Sequence, residues 1–187
     1  MSGLFSHPGE PPQDAVDRPA LHAEVTVPAP RDHAWAGLTE HLHLWWPAGE
    51  LSRWGDESFF DLEDNALVET SAQDDENVWG EVTDGLPGEW LSLTWRHAGS
   101  QSVTQLLLVM GQDQTGVGDV DRLPPRGRGV ADTGEADTGG AAVGEPRSVL
   151  TITHSGWTGT DPEDLYAFYR TFWPEALGCY RRFMGGS

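Results

Sequence analysis

From Asp161 to Met184 the chain places Leu165, Phe168, Tyr169, Phe172, Leu177, Tyr180 and Phe183 at helical spacing. The sequence before it holds several strand-like segments between Leu21 and Ser155, the first and last of them with apolar residues alternating at period two. These two patterns leave few ways to fold. Strands with one apolar face need a cover, and the terminal segment is the only long helical candidate able to supply it. Consecutive strands with helices at both ends predict an α+β domain, with a curved antiparallel sheet of about six to seven strands wrapped around a long C-terminal helix.

The order of elements follows from local signals. Leu21, Ala23, Val25 and Val27 share one side of a first strand that Pro28-Ala29-Pro30 ends. Asp32 suits a helix cap, and Ala34, Trp35 and Leu38 then recur with helical spacing through Glu40. A second short helical turn is expected over His41–Trp46, stopped by Pro47. Strands are predicted over 58–62, 67–72, 77–83, 89–97 and 102–110, with turns at Asp64-Asn65 and at Gly85-Leu86-Pro87-Gly88. Order resumes at Ser148, where Leu150, Ile152 and His154 alternate with polar neighbours. Pro162 suits the first turn of the terminal helix, whereas Pro174 within it predicts a kink or a break into two helices.

Two segments lack such periodicity. Residues 1–19, rich in Pro, Gly and Asp, read as a disordered tail. Residues 111–147 carry Pro124-Pro125 and no aromatic residue, and read as a flexible Gly/Asp-rich insertion in a hairpin. A single domain over 20–187 is therefore expected. Within the insertion, Asp132-Thr133-Gly134 and Asp137-Thr138-Gly139 repeat the triplet of aspartic proteases. Those enzymes need two carboxylates brought together from separate strand loops, which a five-residue spacing in low-complexity sequence does not offer.

The chain has 30 acidic and 11 basic residues, for a formal net charge of -19. Such a surface repels phosphate backbones and anionic lipid, so neither nucleic acid nor a membrane is an expected partner. All the basic residues are Arg, and with abundant Gly, Ala and Asp the composition is that of a high-GC bacterial genome. The N-terminus lacks the charged and apolar regions of a signal peptide, no stretch is apolar enough to span a membrane, and Cys179 stands alone. A cytoplasmic protein is expected.

No motif specifies a reaction. His41 and His43 point to different faces of a helix and have no third ligand at a recognisable spacing. There is no phosphate loop, no nucleophile elbow and no paired cysteine. Neither a catalytic constellation, nor a metal site, nor a cofactor is read. His154 ends an inward-facing alternation, which fits a core histidine or a polar contact at a cavity mouth. What stands out are nine Trp residues. Most must be core, each contributing on the order of a few kcal/mol when buried. Trp45 and Trp46 are placed by position where the helices meet the sheet opening, and Trp95 shares a strand face with Leu91 and Leu93.

Several short segments, in order, carry a family resemblance: Val25-Thr26-Val27-Pro28, Trp35, Trp45-Trp46-Pro47, Gly80-Glu81-Val82, Leu93-Thr94-Trp95, Val103-Thr104 and Leu150-Thr151-Ile152-Thr153-His154-Ser155-Gly156. Together they resemble the helix-grip fold of the START-like (SRPBCC) superfamily, in its branch related to the heat shock protein 90 ATPase activator. The resemblance implies an apolar small molecule bound between sheet and helix and carries over no catalytic residue. It places the ligand cavity against Trp45, Trp46, Trp54, Phe60, Trp79, Leu93, Trp95, Leu107, Ile152, His154, Trp157, Phe168 and Phe172. A small-molecule binding module is the first expectation. One alternative is a cyclase of the polyketide type, using His154 with Tyr166 or Tyr169. Another is a chaperone-interaction protein, docking on a basic partner face. Deleting 112–146 is expected to leave the melting temperature within a few degrees, as read by differential scanning calorimetry; a collapse would make the insertion a packed element.

Overall fold

A computed structural model describes residues 17–113 and 146–187. It contains a seven-stranded sheet, β1 (Leu21–Val27), β2 (Phe59–Glu63), β3 (Ala66–Thr70), β4 (Glu76–Leu86), β5 (Trp90–Trp95), β6 (Thr104–Gln112) and β7 (Ser148–Ser155). Helix α1 (Arg31–Thr39) and a short 3-10 turn (Leu42–Leu44) follow β1, and helix α2 (Glu163–Phe183) closes the chain. The strand order is β1-β7-β6-β5-β4-β3-β2, with every pair antiparallel. The sheet curls into a half-barrel around α2, the α+β helix-grip arrangement expected from the alternation.

The turn chemistry explains how the strands meet. Asp64 and Asn65 both adopt positive φ, as a two-residue hairpin with right-handed strand twist requires. At the next hairpin β4 runs on through Gly85 and Leu86, so the turn is tighter than the four-residue signal suggested. It centres on Pro87 and Gly88, with Gly88 at positive φ and Glu89 N–H donating to the Leu86 carbonyl at 2.9 Å. Register shifts between Leu67 and Val68 and between Val82 and Asp84 bend the sheet where it must wrap the helix. Gly80 lies in this bent region, where a Cβ would sit 2.1 Å from the Thr94 carbonyl oxygen.

Helix α2 buries Tyr169, Phe172, Trp173, Ala176, Leu177 and Tyr180, a stripe at i, i+3, i+4, i+7, i+8 and i+11. The helix is not broken at Pro174. That residue and Arg170, one turn before it, both lie on the exposed side, while the buried stripe runs on past them. The cap of α1 also differs from expectation: Pro30 precedes the helix and Asp32 lies in its first turn.

Both aperiodic segments lie mostly outside the described residues, but their edges are informative. Arg18 is no part of a loose tail: its guanidinium meets Glu163 at 2.7 Å and the Asp161 carbonyl at 2.9 Å. Its backbone N–H reaches the Trp157 carbonyl, and Tyr166 donates to the Pro19 carbonyl at 3.0 Å. The β6–β7 hairpin stays paired out to Gln112 and Ser148, so the first two residues of the expected insertion, Gly111 and Gln112, belong to the strand. No helix among the described residues is long and apolar enough to cross a membrane.

Because the Gly80 contact is with backbone, an added methyl forces β4 and β5 apart. Gly80→Ala is expected to lower stability by at least ~2 kcal/mol in urea unfolding; an unchanged midpoint would show that the two strands separate freely.

Candidate functional site

The space between sheet and helix is filled by rings. Trp79 and Trp95 lie with centroids 5.8 Å apart, Trp95 and Trp173 at 5.3 Å, and Trp173 stacks on Tyr169 at 5.6 Å. Trp46 packs against Phe60, Trp95, Phe172 and Trp173. Among the described residues the space left inside is a cavity of about 30 Å³ among apolar side chains, room for about one water-sized body, and a smaller one of about 10 Å³ beside Trp95, Trp157 and Tyr169. The expected internal ligand chamber is occupied by the protein itself. The large opening lies at one end of the grip, a groove of about 1100 Å³. Its walls are the 50–53 segment, the 97–102 loop between β5 and β6, and the first turns of α2, with Trp79 and Phe168 among its lining.

Two polar chains meet at Trp95, and one of them ends at His97 in the groove wall. On one side Trp173 Nε1–H donates to His154 Nδ1 at 3.0 Å, so that nitrogen is bare and Nε2 carries the proton. Nε2–H then donates to Thr104 Oγ1 at 2.7 Å, and Thr104 donates to the Trp95 carbonyl at 3.2 Å. On the other side Trp95 Nε1–H donates to the Tyr169 hydroxyl at 2.8 Å, and Tyr169 lies 2.8 Å from His97 Nδ1. His154 and Tyr169 are wholly buried. Burial pushes His154 down to about 3, lowers His97 and raises the Tyr169 phenol.

A buried carboxylate holds one wall in place. Glu69, on β3, has no exposed surface and accepts hydrogen bonds from Ser52 Oγ, Ser58 Oγ (2.8 Å), Arg53 N–H (2.9 Å) and Trp79 Nε1–H (2.8 Å). Desolvation pushes its pKa up, but these donors outweigh it and hold the carboxyl below the usual range. The 50–58 segment, which has little regular structure, is thereby tied to the sheet. Asp161 does the same below α2. Burial raises its pKa, yet bonds from Ser102 and Thr158 and the nearby Arg18 charge bring it below normal.

Of the cavity residues expected from the sequence, only Trp79 and Phe168 line the groove. Trp45, Trp46, Leu93 and Ile152 border the residual interior space. Phe60, Trp95, His154, Trp157 and Phe172 are buried packing. Trp54 is half-exposed beneath the Arg53 guanidinium, and Leu107 points away from α2, because β6 turns Leu106 and Leu108 inward. His97, Glu69 and the 97–102 loop were missed. Glu69 had a readable signal, since the alternation Leu67, Glu69, Ser71 places a carboxylate on the inward face. His97 had none, as its position depends on where β5 ends. Among the described residues no group of three or more His, Cys, Asp or Glu side chains is placed to hold a metal ion.

No family model matches this chain, and no curated protein matches it significantly. Solved structures do. A Bacillus halodurans protein solved in solution is 16% identical, with 90% of this chain and 99% of that one aligned and a TM-score of 0.53. A Nitrosomonas europaea protein is 12% identical, covering 89% of this chain and 94% of its own at a TM-score of 0.52. DynU16, from the dynemicin biosynthetic locus, is 20% identical at a TM-score of 0.49, and this chain spans 48% of it. At these identities the likeness is one of fold alone, the helix-grip arrangement described above.

His154 and the partly buried His97 both have folded pKa values below the ~6.5 of an unfolded imidazole, so the unfolded chain takes up protons first as pH falls. Their contribution is complete above about pH 6.5 and lost below it, at up to about 1.4 kcal/mol per pH unit for His154 until about pH 3. Glu69 and Asp161 add their own loss only below the ordinary carboxylate range. Urea unfolding at about pH 7 and about pH 5 is expected to show a drop that His154→Gln reduces; equal slopes in both proteins would place the titrating group elsewhere.

Proposed function

We propose that this protein is a small-molecule binding module whose ligand lies in the groove at the open end of the helix grip, not between sheet and helix. The observation that carries this reading is the contrast in space, about 30 Å³ inside against about 1100 Å³ at the mouth. The groove is large enough for a drug-sized ligand, and a few polar groups converge on it between aromatic surfaces, as small-molecule sites do. Its chemistry suits a largely apolar, flat ligand. His97 and Phe168 form adjoining ring surfaces with centroids 6.1 Å apart, and the buried Trp79 ring lies behind His97 at 5.6 Å. A strongly anionic ligand is disfavoured by the net charge of -19 and by Glu50 and Asp164 on the walls.

A second reading, an enzyme of the cyclase type, is favoured by one observation: His97 lines the groove and is hydrogen-bonded to Tyr169 buried behind it. The pair differs from the one expected. His154 is sealed and both its ring nitrogens are engaged, while Tyr166 is taken up by Pro19. In this reading His97 would be the acid-base group, and His97→Phe would abolish product formation without abolishing binding. Docking on a chaperone, implied by the resemblance to the heat shock protein 90 ATPase activator, makes no use of the groove and would survive its blockage.

Native mass spectrometry of protein purified from its own host is expected to show a discrete added mass released on denaturation. Gln101→Trp, at an exposed wall position, should cut occupancy at least tenfold with the melting temperature unchanged. Leu106→Ala, which enlarges the interior, should leave occupancy as it was. The reverse pattern would put the ligand between sheet and helix.

A further inference from the structure

Behind the groove, the hydrogen bonds that end at His97 have a fixed direction. The Tyr169 hydroxyl is wholly buried and accepts the Trp95 indole N–H, so its own proton needs an acceptor. The only acceptor within hydrogen-bond reach among the described residues is His97 Nδ1, at 2.8 Å. Tyr169 therefore donates to Nδ1, and the neutral ring must carry its proton on Nε2. Among the described residues Nε2 has no hydrogen-bond partner, yet it is not a sealed, orphaned atom, so it reaches open space. His97 lines the groove between Trp79 and Phe168.

The other polar groups nearby are less free. Arg53 is drawn to Asn77 Oδ1 and lies over Trp54. One oxygen of Asp164 accepts the Leu165 N–H. The Ser100 hydroxyl accepts the Ser102 N–H. His97 thus provides an oriented donor amid ring surfaces, and the relay behind it prevents the tautomer from reversing. Burial lowers its pKa, which keeps the ring neutral near pH 7.

We infer that His97 Nε2–H is a specificity-determining donor that selects, among flat apolar ligands, those bearing an acceptor oxygen such as a ketone or quinone carbonyl. The inference rests on the groove being the binding site. It assigns His97 a role in choosing the ligand, with Tyr169 and Trp95 as positioning residues that act through it. A ligand without an acceptor would leave the N–H desolvated and unpaired, the costlier error in a closed contact.

The test compares 9-fluorenone with fluorene, tricyclic probes of nearly one shape that differ by the carbonyl, titrated against the full chain by quenching of Trp fluorescence. Fluorenone is expected to bind about 5–10-fold more tightly, the worth of one net hydrogen bond. In His97→Phe, which keeps a ring in the wall, the ratio should fall to about 1 with fluorene affinity retained. Equal binding of both probes by the native protein would overturn the donor and leave the groove reading intact. A fluorenone preference that persists in His97→Phe would also overturn it. Failure of both probes to bind would overturn the inference and the groove reading together. Imidazole nitrogen NMR of the native protein provides a check that needs no variant: it should show the His97 proton on Nε2, and a proton on Nδ1 would contradict the relay.

Discussion

Trp95 joins three parts of the fold through its indole and its backbone carbonyl. Its ring fills the centre between sheet and helix, its N–H reaches Tyr169 on α2, and its carbonyl takes the Thr104 hydroxyl from β6. Through Thr104 the chain continues to His154 on β7 and returns to α2 at Trp173. Each polar group in this circuit has a partner, so the aromatic core is held in one arrangement by direction as well as by apolar contact. Packing alone would let rings of similar size exchange places. Hydrogen bonds of fixed donor and acceptor identity do not.

A filled interior has consequences for where anything can bind. In a helix-grip fold the available volume lies between sheet and helix or at the open end, and large rings decide the matter here. Trp46, Trp79, Trp95 and Trp173 occupy the inner volume, so the free space is pushed to the mouth. There the walls are irregular segments, which would be mobile without anchors. Glu69 supplies one anchor, gathering four different donor residues from the 52–58 segment and from Trp79. Asp161 supplies the other, fastening the approach to α2 through Thr158. A buried carboxylate is costly unless so surrounded, and both stay below their ordinary pKa because the donors outweigh burial.

Much of the architecture was legible because periodicity reports directly which face is buried. The stripe from Leu165 to Tyr180, the alternation of Leu150, Ile152 and His154, and the Asp64-Asn65 turn all follow from spacing and local backbone preference. The errors came where a residue's effect depends on what surrounds it. Pro174 breaks no helix because its side of α2 is wet. Leu107 faces outward because the inward register of β6 falls on Leu106 and Leu108. Arg18, in apparently featureless sequence, finds Glu163 and the Asp161 carbonyl across 145 and 143 residues of chain.

Local pattern by itself therefore determined the class of fold, its element order and the identity of the terminal helix, since those depend on short-range spacing and on the need to cover an apolar sheet face. It also determined that the core would be aromatic. Whether those aromatics enclose a cavity or fill it was decided only in three dimensions, because it depends on the sum of ring volumes against the curl of the sheet. The same holds for His97 and His154. Both end up on nitrogen-specific relays, but one is sealed beneath Trp157 and Trp173 while the other faces open space, a difference set by tertiary neighbours that no sequence spacing encodes.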